Sequence, residues 1–354
     1  MPQSMLEIVA ISAARIKAMT IAIDGFGGDN APDEVLKGAV TAADKYNVDI
    51  TITGDVEILQ ATVKSLGLNL PESIEFVHAD GVMQVEDNPV EIRTTKSGTS
   101  MGVAFDLVKT GKADAIISAG STAALMVGGS MLIGRIKGIK RPALSPICPG
   151  ITLNGEAFNY LLLDVGANLE CRPEMLLQFA IMGSIYSEKV MGVARPRVGL
   201  LNIGTEEEKG RDLEHSTFAL LKNAPVNFIG NVEARDVPMG ICDVAVTDGF
   251  TGNIYLKAVE GMGRFMKGSM KQMFSKNAAT KVGYLLSKSG VRDISDRTDY
   301  RVVGGSPLLG TAKPVIKAHG SSDALAFVNA VRQAKSFVES GVTEEIANLI
   351  QRKC

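Results

Sequence analysis

The sequence predicts an α/β protein in which helices cover both faces of a mostly parallel sheet. Short aliphatic or β-branched runs recur along the chain, and each ends in a polar or glycine-rich loop that leads into a helical stretch. The runs are almost continuously apolar rather than alternating, which is typical of strands that are buried on both faces. With 354 residues, 45% of them hydrophobic, the chain is large enough to bury such a core.

The predicted strands are, in chain order, 20–24, 49–53, 73–77, 114–118, 160–164, 197–203, 226–229, 244–248 and 314–318. After the first strand, Pro32 favours the first turn of a helix that runs to about Tyr46. Residues 83–100 are predicted to be a polar excursion from the sheet. We expect one catalytic domain over 19–354, preceded at 1–18 by an extension that an over-long start assignment would explain.

Composition and motifs exclude several classes of protein. A net charge of −2 argues against nucleic acid as the main partner. The four cysteines and three histidines are scattered, which favours reduced thiols in the cytosol and predicts neither a metal site nor a metal cofactor. Neither G-x-G-x-x-G nor a Walker motif occurs, so no nucleotide cofactor is predicted. No apolar run is long enough to span a membrane.

Two residues lie in sequence contexts that could suit a catalytic nucleophile. Ser100 lies in a G-x-S-x-G pattern at 98–102, but the segment before it is polar rather than a strand, so a helix start is predicted instead. Cys171 would suit a covalent acyl-enzyme, but no histidine lies near it in the sequence. Neither residue is therefore predicted to be a nucleophile.

The loops after the predicted strands indicate an anion site. In open α/β sheets, ligands bind beyond the carboxyl ends of the strands. The stretch VTDGFTGN (246–253) places backbone amides at a glycine-rich turn that opens a helix, an arrangement that binds phosphate without a Walker lysine. In the loop at 204–210, Lys209 supplies a cation, although a solvated charge run is the alternative. The predicted substrate- and phosphate-binding residues, each of which could instead only cap or turn the chain, are Asp24, Gly27, Gly28, Asp29, Ser121, Thr122, Asp164, Asn168, Gly204, Thr205, Asp248, Gly249, Thr251 and Gly252.

A basic amphipathic helical segment is predicted at about 254–292. Its cations are not interrupted by any acid from 261 to 292, and methionines recur on it at helical spacing. A stripe of this kind beside an unneutralised basic face is typical of a surface for anionic lipid or for an acidic protein. A second basic cluster at 134–142 could serve an acidic partner or only cap its helix. The residues predicted for this lipid or acidic-protein surface are Arg264, Lys267, Lys271, Lys276, Lys281 and Lys288.

The motifs DGFGGDNAP (24–32), SAGSTAALM (118–126), LLLDVGAN (161–168), GTEEEKG (204–210), VTDGFTGN (246–253) and IKAHGSSD (316–323) together resemble the bacterial phosphate acyltransferases of phospholipid synthesis, the PlsX family. The resemblance covers the chain from about Met19 onward. It implies a Rossmann-like three-layer α/β/α fold related to phosphotransacetylases and isopropylmalate-type dehydrogenases. It also implies a homodimer that is cytoplasmic and peripherally associated with the membrane.

The reaction implied by the resemblance is reversible transfer of a fatty acyl group from acyl carrier protein to inorganic phosphate. The acyl phosphate would then serve a membrane glycerol-3-phosphate acyltransferase. We expect Lys209 to hold phosphate and Asn253 to stabilise the developing oxyanion. Ser121 and Ala123 depart from the usual Asn-Thr-Gly of the family, and DGFGGD replaces DAMGGD. An enzyme that uses acyl-CoA, as phosphotransacetylases do, is the alternative.

Overall fold

In a computed structural model, residues 19–297 and 300–353 are described, and the predicted extension at 1–18 lies outside them. The strands of this part are β1 Thr20–Asp24, β2 Asp49–Gly54, β3 Ile74–His78, β4 Ala115–Ser118, β5 Ala143–Leu144, β6 Ile147–Ile151, β7 Ala157–Leu163, β8 Arg197–Asn202, β9 Asn227–Glu233, β10 Val244–Val246, β11 Ser306–Leu309 and β12 Val315–Lys317. The helices are α1 Asp33–Tyr46, α2 Val56–Leu66, α3 Ser100–Lys109, α4 Thr122–Gly128, α5 Pro173–Lys189, α6 Asp212–Leu221, α7 Gly249–Ser275, α8 Ala278–Arg297, α9 Tyr300–Val303, α10 Ala324–Glu339 and α11 Val342–Lys353.

The strands form two sheets, with the orders β3-β2-β1-β4-β12-β11-β5 and β6-β7-β10-β8-β9. All nine predicted strands are confirmed, and so is the mostly parallel α/β class. They divide between the two sheets rather than lying in one. Each antiparallel pair includes a strand that the pattern did not predict, namely β5, β6 or β11. Strand β11 pairs with β12 and with β5, and β6 pairs with β7. The polar excursion at 83–100 is confirmed as irregular chain with one short 3₁₀ turn before α3 begins.

Capping side chains start several of the helices. Asp55 accepts from the backbone N–H groups of Glu57 and Ile58 at the start of α2. Thr99 caps α3 and Asp323 caps α10 in the same way. These residues satisfy amides that have no partner inside the helix, which fixes where each helix begins.

The core fills the space between the helices and both sheets. On α5, Phe179 and Tyr186 are fully buried, and the Tyr186 ring meets Phe337 of α10 edge to face, with 5.4 Å between ring centroids. The same cluster of buried residues includes Ile21 and Ile23 of β1 together with residues of β7, β8 and β10. A single cluster of buried residues therefore spans both sheets, and a second cluster does the same on other faces of the strands.

Helices α7 and α8 form a hairpin that leaves most of its length exposed, and we call residues 249–297 the helical hairpin. The predicted basic segment is thus two helices rather than one. They meet at Asn277, whose side chain accepts from the N–H of Thr280 at 2.9 Å, while Thr280 Oγ1 accepts from the N–H of Asn277 at 3.0 Å. This reciprocal capping starts α8 in a new direction. None of the described helices is both long enough and apolar enough to cross a bilayer.

Candidate active site

The carboxylate of Asp164, at the end of β7, organises the loop that follows. It is fully buried and accepts hydrogen bonds from the N–H groups of Leu144 (2.9 Å), Ala167 (3.2 Å) and Asn168 (2.6 Å), and from the Asn168 amide at 2.9 Å. Burial raises the pKa of Asp164 to about 6, although these donors oppose the shift. Because both oxygens are occupied, Asp164 fixes the loop and ties it to β5 of the other sheet.

The first turn of α7 contains the stretch that the sequence singled out. Asp248 caps the helix: one carboxylate oxygen accepts from Thr251 N at 2.8 Å and the other accepts from Thr251 Oγ1 at 3.0 Å. The N–H of Gly249 donates to the carbonyl of Asn168 at 2.8 Å. Residues 249–253 therefore open a helix, as the pattern predicts, and two of the amides predicted to hold phosphate already have acceptors within the protein.

Asn253 lies in the same turn and is exposed. Its side chain faces Gly166, and the Asn253 Cγ would lie 3.8 Å from a Cβ built there. Gly166 has a φ of +121°, so the loop after β7 follows a path that glycine favours. Among the residues that the structure describes, no hydrogen-bond partner is found for the Asn253 amide, which leaves this group available to a substrate.

The loop at 203–210, which we call the lysine turn, is held by two asparagines. Asn202, at the end of β8, donates to the carbonyl of Lys209 at 2.9 Å, and Asn231, on β9, donates to the carbonyl of Glu206 at 2.8 Å. The Lys209 stem passes over Gly204, where a Cβ would lie 2.9 Å from Lys209 Cγ. The backbone of the turn is thus fixed while the Lys209 side chain is exposed. Thr205 is also exposed in this turn.

Sequence reasoning missed Arg211, which joins the lysine turn to α7. Its guanidinium donates to Asp248 Oδ2 and to Glu214 Oε1, both at 2.5 Å, and its Nε donates to Glu214 Oε2 at 3.1 Å. The side chains of these two acids are almost completely buried. No local signal marks this role, because Asp248 is distant from Arg211 in the sequence.

A second polar cluster lies at the ends of β1, β4 and β12. Asp24 is buried and accepts from Ser118 Oγ at 2.7 Å. A Cβ on Gly27 would lie 2.5 Å from Asp24 Oδ2, so only glycine fits there. Lys317, which the sequence analysis did not select, donates to the carbonyls of Ala119 (3.2 Å) and Ala318 (2.5 Å). Burial lowers the pKa of Lys317 to about 8, although the charges of the nearby acids oppose this.

The remaining predicted residues of this cluster shape the adjacent turns. Gly28 has a φ of +99°, and Asp29 donates its N–H to the carbonyl of Gly320 at 2.8 Å. Ser121 caps α4, with its hydroxyl 3.4 Å from the N–H of Ala124. Thr122 is the first residue of that helix and is exposed.

His319 lies two residues beyond Lys317, in the loop after β12. Burial lowers the pKa of His319, and the charges of Glu260, Lys257 and Arg264 on α7 also act on it. The described residues contain no group of three or more His, Cys, Asp or Glu that could hold a metal ion.

The structure places Ser100 and Cys171, the two residues that match nucleophile patterns in the sequence, in unreactive surroundings. Ser100 is fully buried as the first residue of α3, with Thr99 as the cap, which agrees with the predicted helix start. Cys171 is partly buried, and its thiol lies 3.6 Å from the carbonyl of Asn168. Burial raises the pKa of Cys171 to about 12, so the thiol stays protonated and weakly nucleophilic near neutral pH.

The helical hairpin exposes both its cations and its apolar residues. Met262 and Leu286 are 60% and 83% exposed, respectively. In the described part of the hairpin, the six predicted surface cations are exposed and form no ion pair with a described acid. Tyr255, at the base of the predicted stripe, instead packs inward, with its hydroxyl 3.1 Å from that of Tyr160.

Comparison with known proteins gives consistent matches. The chain matches the family described as "Fatty acid synthesis protein" over residues 19–345. It is 45% identical to a phosphate acyltransferase of Caldanaerobacter subterraneus subsp. tengcongensis, covering 94% of this chain and 98% of the relative. It is 47% identical to a phosphate acyltransferase of Oceanobacillus iheyensis, again covering 94% of this chain and 98% of the relative.

Solved structures agree on the fold. A phosphotransacetylase from Streptococcus pyogenes superposes with a TM-score of 0.61 and 18% identity, covering 95% of this chain and 99% of the other. The EutD phosphotransacetylase from Staphylococcus aureus gives a TM-score of 0.58 and 16% identity, covering 94% and 98%. At such low identity these likenesses show that the fold is shared.

Proposed function

The chain belongs to the fatty acid synthesis protein family, whose matched relatives are phosphate acyltransferases, and from this we propose that it moves a fatty acyl group from acyl carrier protein to inorganic phosphate. The observation that carries the proposal is the pairing of two exposed groups at one sheet edge. The Asn253 amide has no partner among the described residues, and Lys209 projects from a turn whose backbone is fixed. Arg211 connects the two elements that bear them.

The proposed chemistry is direct attack by phosphate. A phosphate oxygen forms a bond to the thioester carbonyl carbon, and the carbon–sulfur bond breaks. The proton carried by hydrogenphosphate ends on the departing thiol, so the products are acyl phosphate and free carrier protein. Phosphate is already anionic at neutral pH and needs no enzyme nucleophile, which is consistent with the raised pKa of Cys171.

Positioning and charge stabilisation would supply most of the catalysis. Lys209 would hold the phosphate dianion, and the Asn253 amide would donate to the oxyanion that develops on the carbonyl. Asp24 and Asp164 would act through position, because their oxygens already accept protein hydrogen bonds. The glycines and hydroxyls around them would shape the pocket for phosphate and for the thioester arm.

The proposal is tested by incubating the protein with palmitoyl carrier protein and phosphate and measuring acyl phosphate by mass spectrometry. We expect Asn253→Ala to lower kcat by roughly a hundredfold to a thousandfold, the typical effect of removing an oxyanion donor. Gln272→Ala is the matched control, since Gln272 is an exposed amide farther along α7. Full activity in the Asn253 variant would remove this residue from the mechanism.

Acyl-CoA is the alternative donor, and the fold shared with phosphotransacetylases favours testing it. Comparing palmitoyl-CoA with palmitoyl carrier protein at equal concentrations separates the two. A higher kcat/KM with the coenzyme A thioester would replace the carrier protein in the proposal.

The helical hairpin is proposed as a contact with anionic membrane lipid, and its apolar residues as part of a homodimer interface. Acyl phosphate is a mixed anhydride that water hydrolyses. Formed at the membrane surface, it would reach a membrane acyltransferase before hydrolysis, and that enzyme would use it to acylate glycerol 3-phosphate. Lys271→Glu with Lys281→Glu should abolish binding to phosphatidylglycerol vesicles and leave kcat on soluble substrate unchanged. Vesicle binding that survives both reversals would contradict this role.

A further inference from the structure

The segment 134–142, which we call the basic loop, presents several cations and no acid. Arg135, Lys137, Lys140 and Arg141 are all exposed, and no Asp or Glu occurs in the sequence between Asp114 and Glu156. Lys140 has an acidic neighbour in Glu174, 3.5 Å away. In the part of the chain that the structure describes, Lys137 and Arg141 have no ion-pair partner.

The basic loop is rigid, because buried groups anchor it on several sides. Gln178 of α5, only 4% exposed, accepts from the N–H of Lys140 and donates to the carbonyl of Gly138, both at 2.8 Å. Ile136 and Ile139 are buried between these points. A buried amide used in this way fixes the loop backbone, so its cations keep a constant arrangement.

The basic loop is also connected directly to the candidate active site. The carbonyl of Pro142, its last residue, accepts from the Asn168 amide at 2.8 Å. The carbonyl of Asn168 accepts from the N–H of Gly249, the first residue of the helix that bears Asn253. Two hydrogen bonds thus link the end of the basic loop to the start of that helix.

We infer that the basic loop docks the acidic face of the carrier protein that delivers the thioester. This rests on the proposed function, since it identifies the surface that the acyl donor uses. A rigid set of cations of one sign beside the reaction site attracts and orients an acidic partner. The helical hairpin is then left for the membrane.

The test compares Lys137→Glu/Arg141→Glu with a matched control, Lys109→Glu/Lys112→Glu. The control makes the same charge change at exposed lysines that precede β4, at the opposite edge of the sheet from the candidate site. At about 50 mM salt we expect the basic-loop variant to raise the KM for palmitoyl carrier protein at least tenfold, with kcat within twofold of the unchanged protein. The control should leave both values unchanged.

Salt dependence gives an independent readout. The KM of the unchanged protein for carrier protein should rise as salt is added, whereas that of the basic-loop variant should be nearly constant. The charge-conserving variant Lys137→Arg/Arg141→Lys should retain the original KM, which separates docking from a folding defect.

Three outcomes would overturn the inference. They are an unchanged KM and salt dependence in the basic-loop variant, an equal rise in KM in the control, and loss of phosphatidylglycerol vesicle binding without any change in KM for carrier protein. Failure of the proposed function would be distinct, because the unchanged protein would then form no acyl phosphate from palmitoyl carrier protein at any concentration.

Discussion

Arg211 offers the sharpest test of how the candidate site is held together. Replacing it with Met keeps much of the side-chain volume and leaves the carboxylates of Asp248 and Glu214 without their cation. These acids are only 3% and 9% exposed, so water replaces the lost hydrogen bonds poorly. Removing one partner of a buried ion pair typically costs about 3–5 kcal/mol. Arg211 itself is 60% exposed, so screening lowers the expected loss to about 2–3 kcal/mol.

We therefore expect Arg211→Met to lower the melting temperature by roughly 3–4 °C in differential scanning calorimetry, since unfolding a chain of 354 residues has a large entropy. The control is Arg235→Met, because Arg235 also lies near two acids but is 77% exposed. That change should cost less than about 1 kcal/mol. Adding Glu214→Gln to the Arg211 variant should restore part of the lost stability, since burying a neutral amide costs less free energy than burying an unpaired carboxylate.

The pH dependence of this difference has a defined sign. Burial raises the pKa of Glu214, but the hydrogen bonds from Arg211 outweigh burial and hold the pKa below its ordinary value of 4.5. A lowered folded-state pKa contributes stability above the unfolded value and loses it as the pH falls. The difference in melting temperature between the Arg211 variant and the unchanged protein should thus become smaller below about pH 4.5. Equal melting temperatures at pH 7 would refute the assigned role of Arg211.

Three further predictions concern the loops and α7. Burial raises the pKa of Asp164 from 3.8 to about 6. The free energy of unfolding should therefore fall by on the order of 3 kcal/mol as the pH rises through this range, because each of the two pKa units corresponds to about 1.4 kcal/mol. Asp164→Asn should lack this slope in denaturant titrations at several pH values, and parallel profiles would contradict it. Gly252→Ala should cost several kcal/mol, because its Cβ would overlap the backbone carbonyl of Asp164. Gly261→Ala on the same helix meets nothing within 4 Å and should stabilise by up to about 1 kcal/mol in chemical denaturation. Asn231→Asp removes an amide donor from the lysine turn and should raise the KM for phosphate about tenfold by weakening an orienting contact, whereas Asn227→Asp removes a similar donor at the other end of β9 and should not.

The strands could be predicted from the sequence because a strand that is buried on both faces is a nearly continuous run of apolar residues. The unpredicted strands are less recognisable: β5 is only two residues long, β6 contains Pro149 and Gly150, and β11 contains Pro307. Strand pairing is not local either. Nothing in the runs of β7 and β12 shows that they belong to different sheets, so the sequence predicted the strands but not their division.

The candidate site was predictable where glycine and polar residues follow a strand. That rule selected Asp24, Asp164 and Asn168, which prove to be fixed by hydrogen bonds at strand ends. It missed Arg211 and Lys317. Arg211 owes its role to partners contributed by other elements, and Lys317 lies within a strand, where the pattern predicts only core.

The start of α7 favours side chains over the amides of Gly249 and Thr251 as the groups that hold the proposed substrates. The amides of Gly249 and Thr251 are already bonded within the protein, and the carboxylate of Asp248 occupies the position where a helix terminus would attract an anion. In the proposed reaction, a phosphate dianion bound nearby therefore needs an unpaired cation, and Lys209, which forms no ion pair with a described acid, would provide it. The first turn of α7 instead fixes the backbone that carries Asn253. It follows that Lys209→Ala should mainly raise the KM for phosphate, whereas Asn253→Ala should mainly lower kcat, since only the developing oxyanion requires that amide. Steady-state kinetics with phosphate as the varied substrate would show this split, and an equal loss of kcat in both variants would contradict the division of roles.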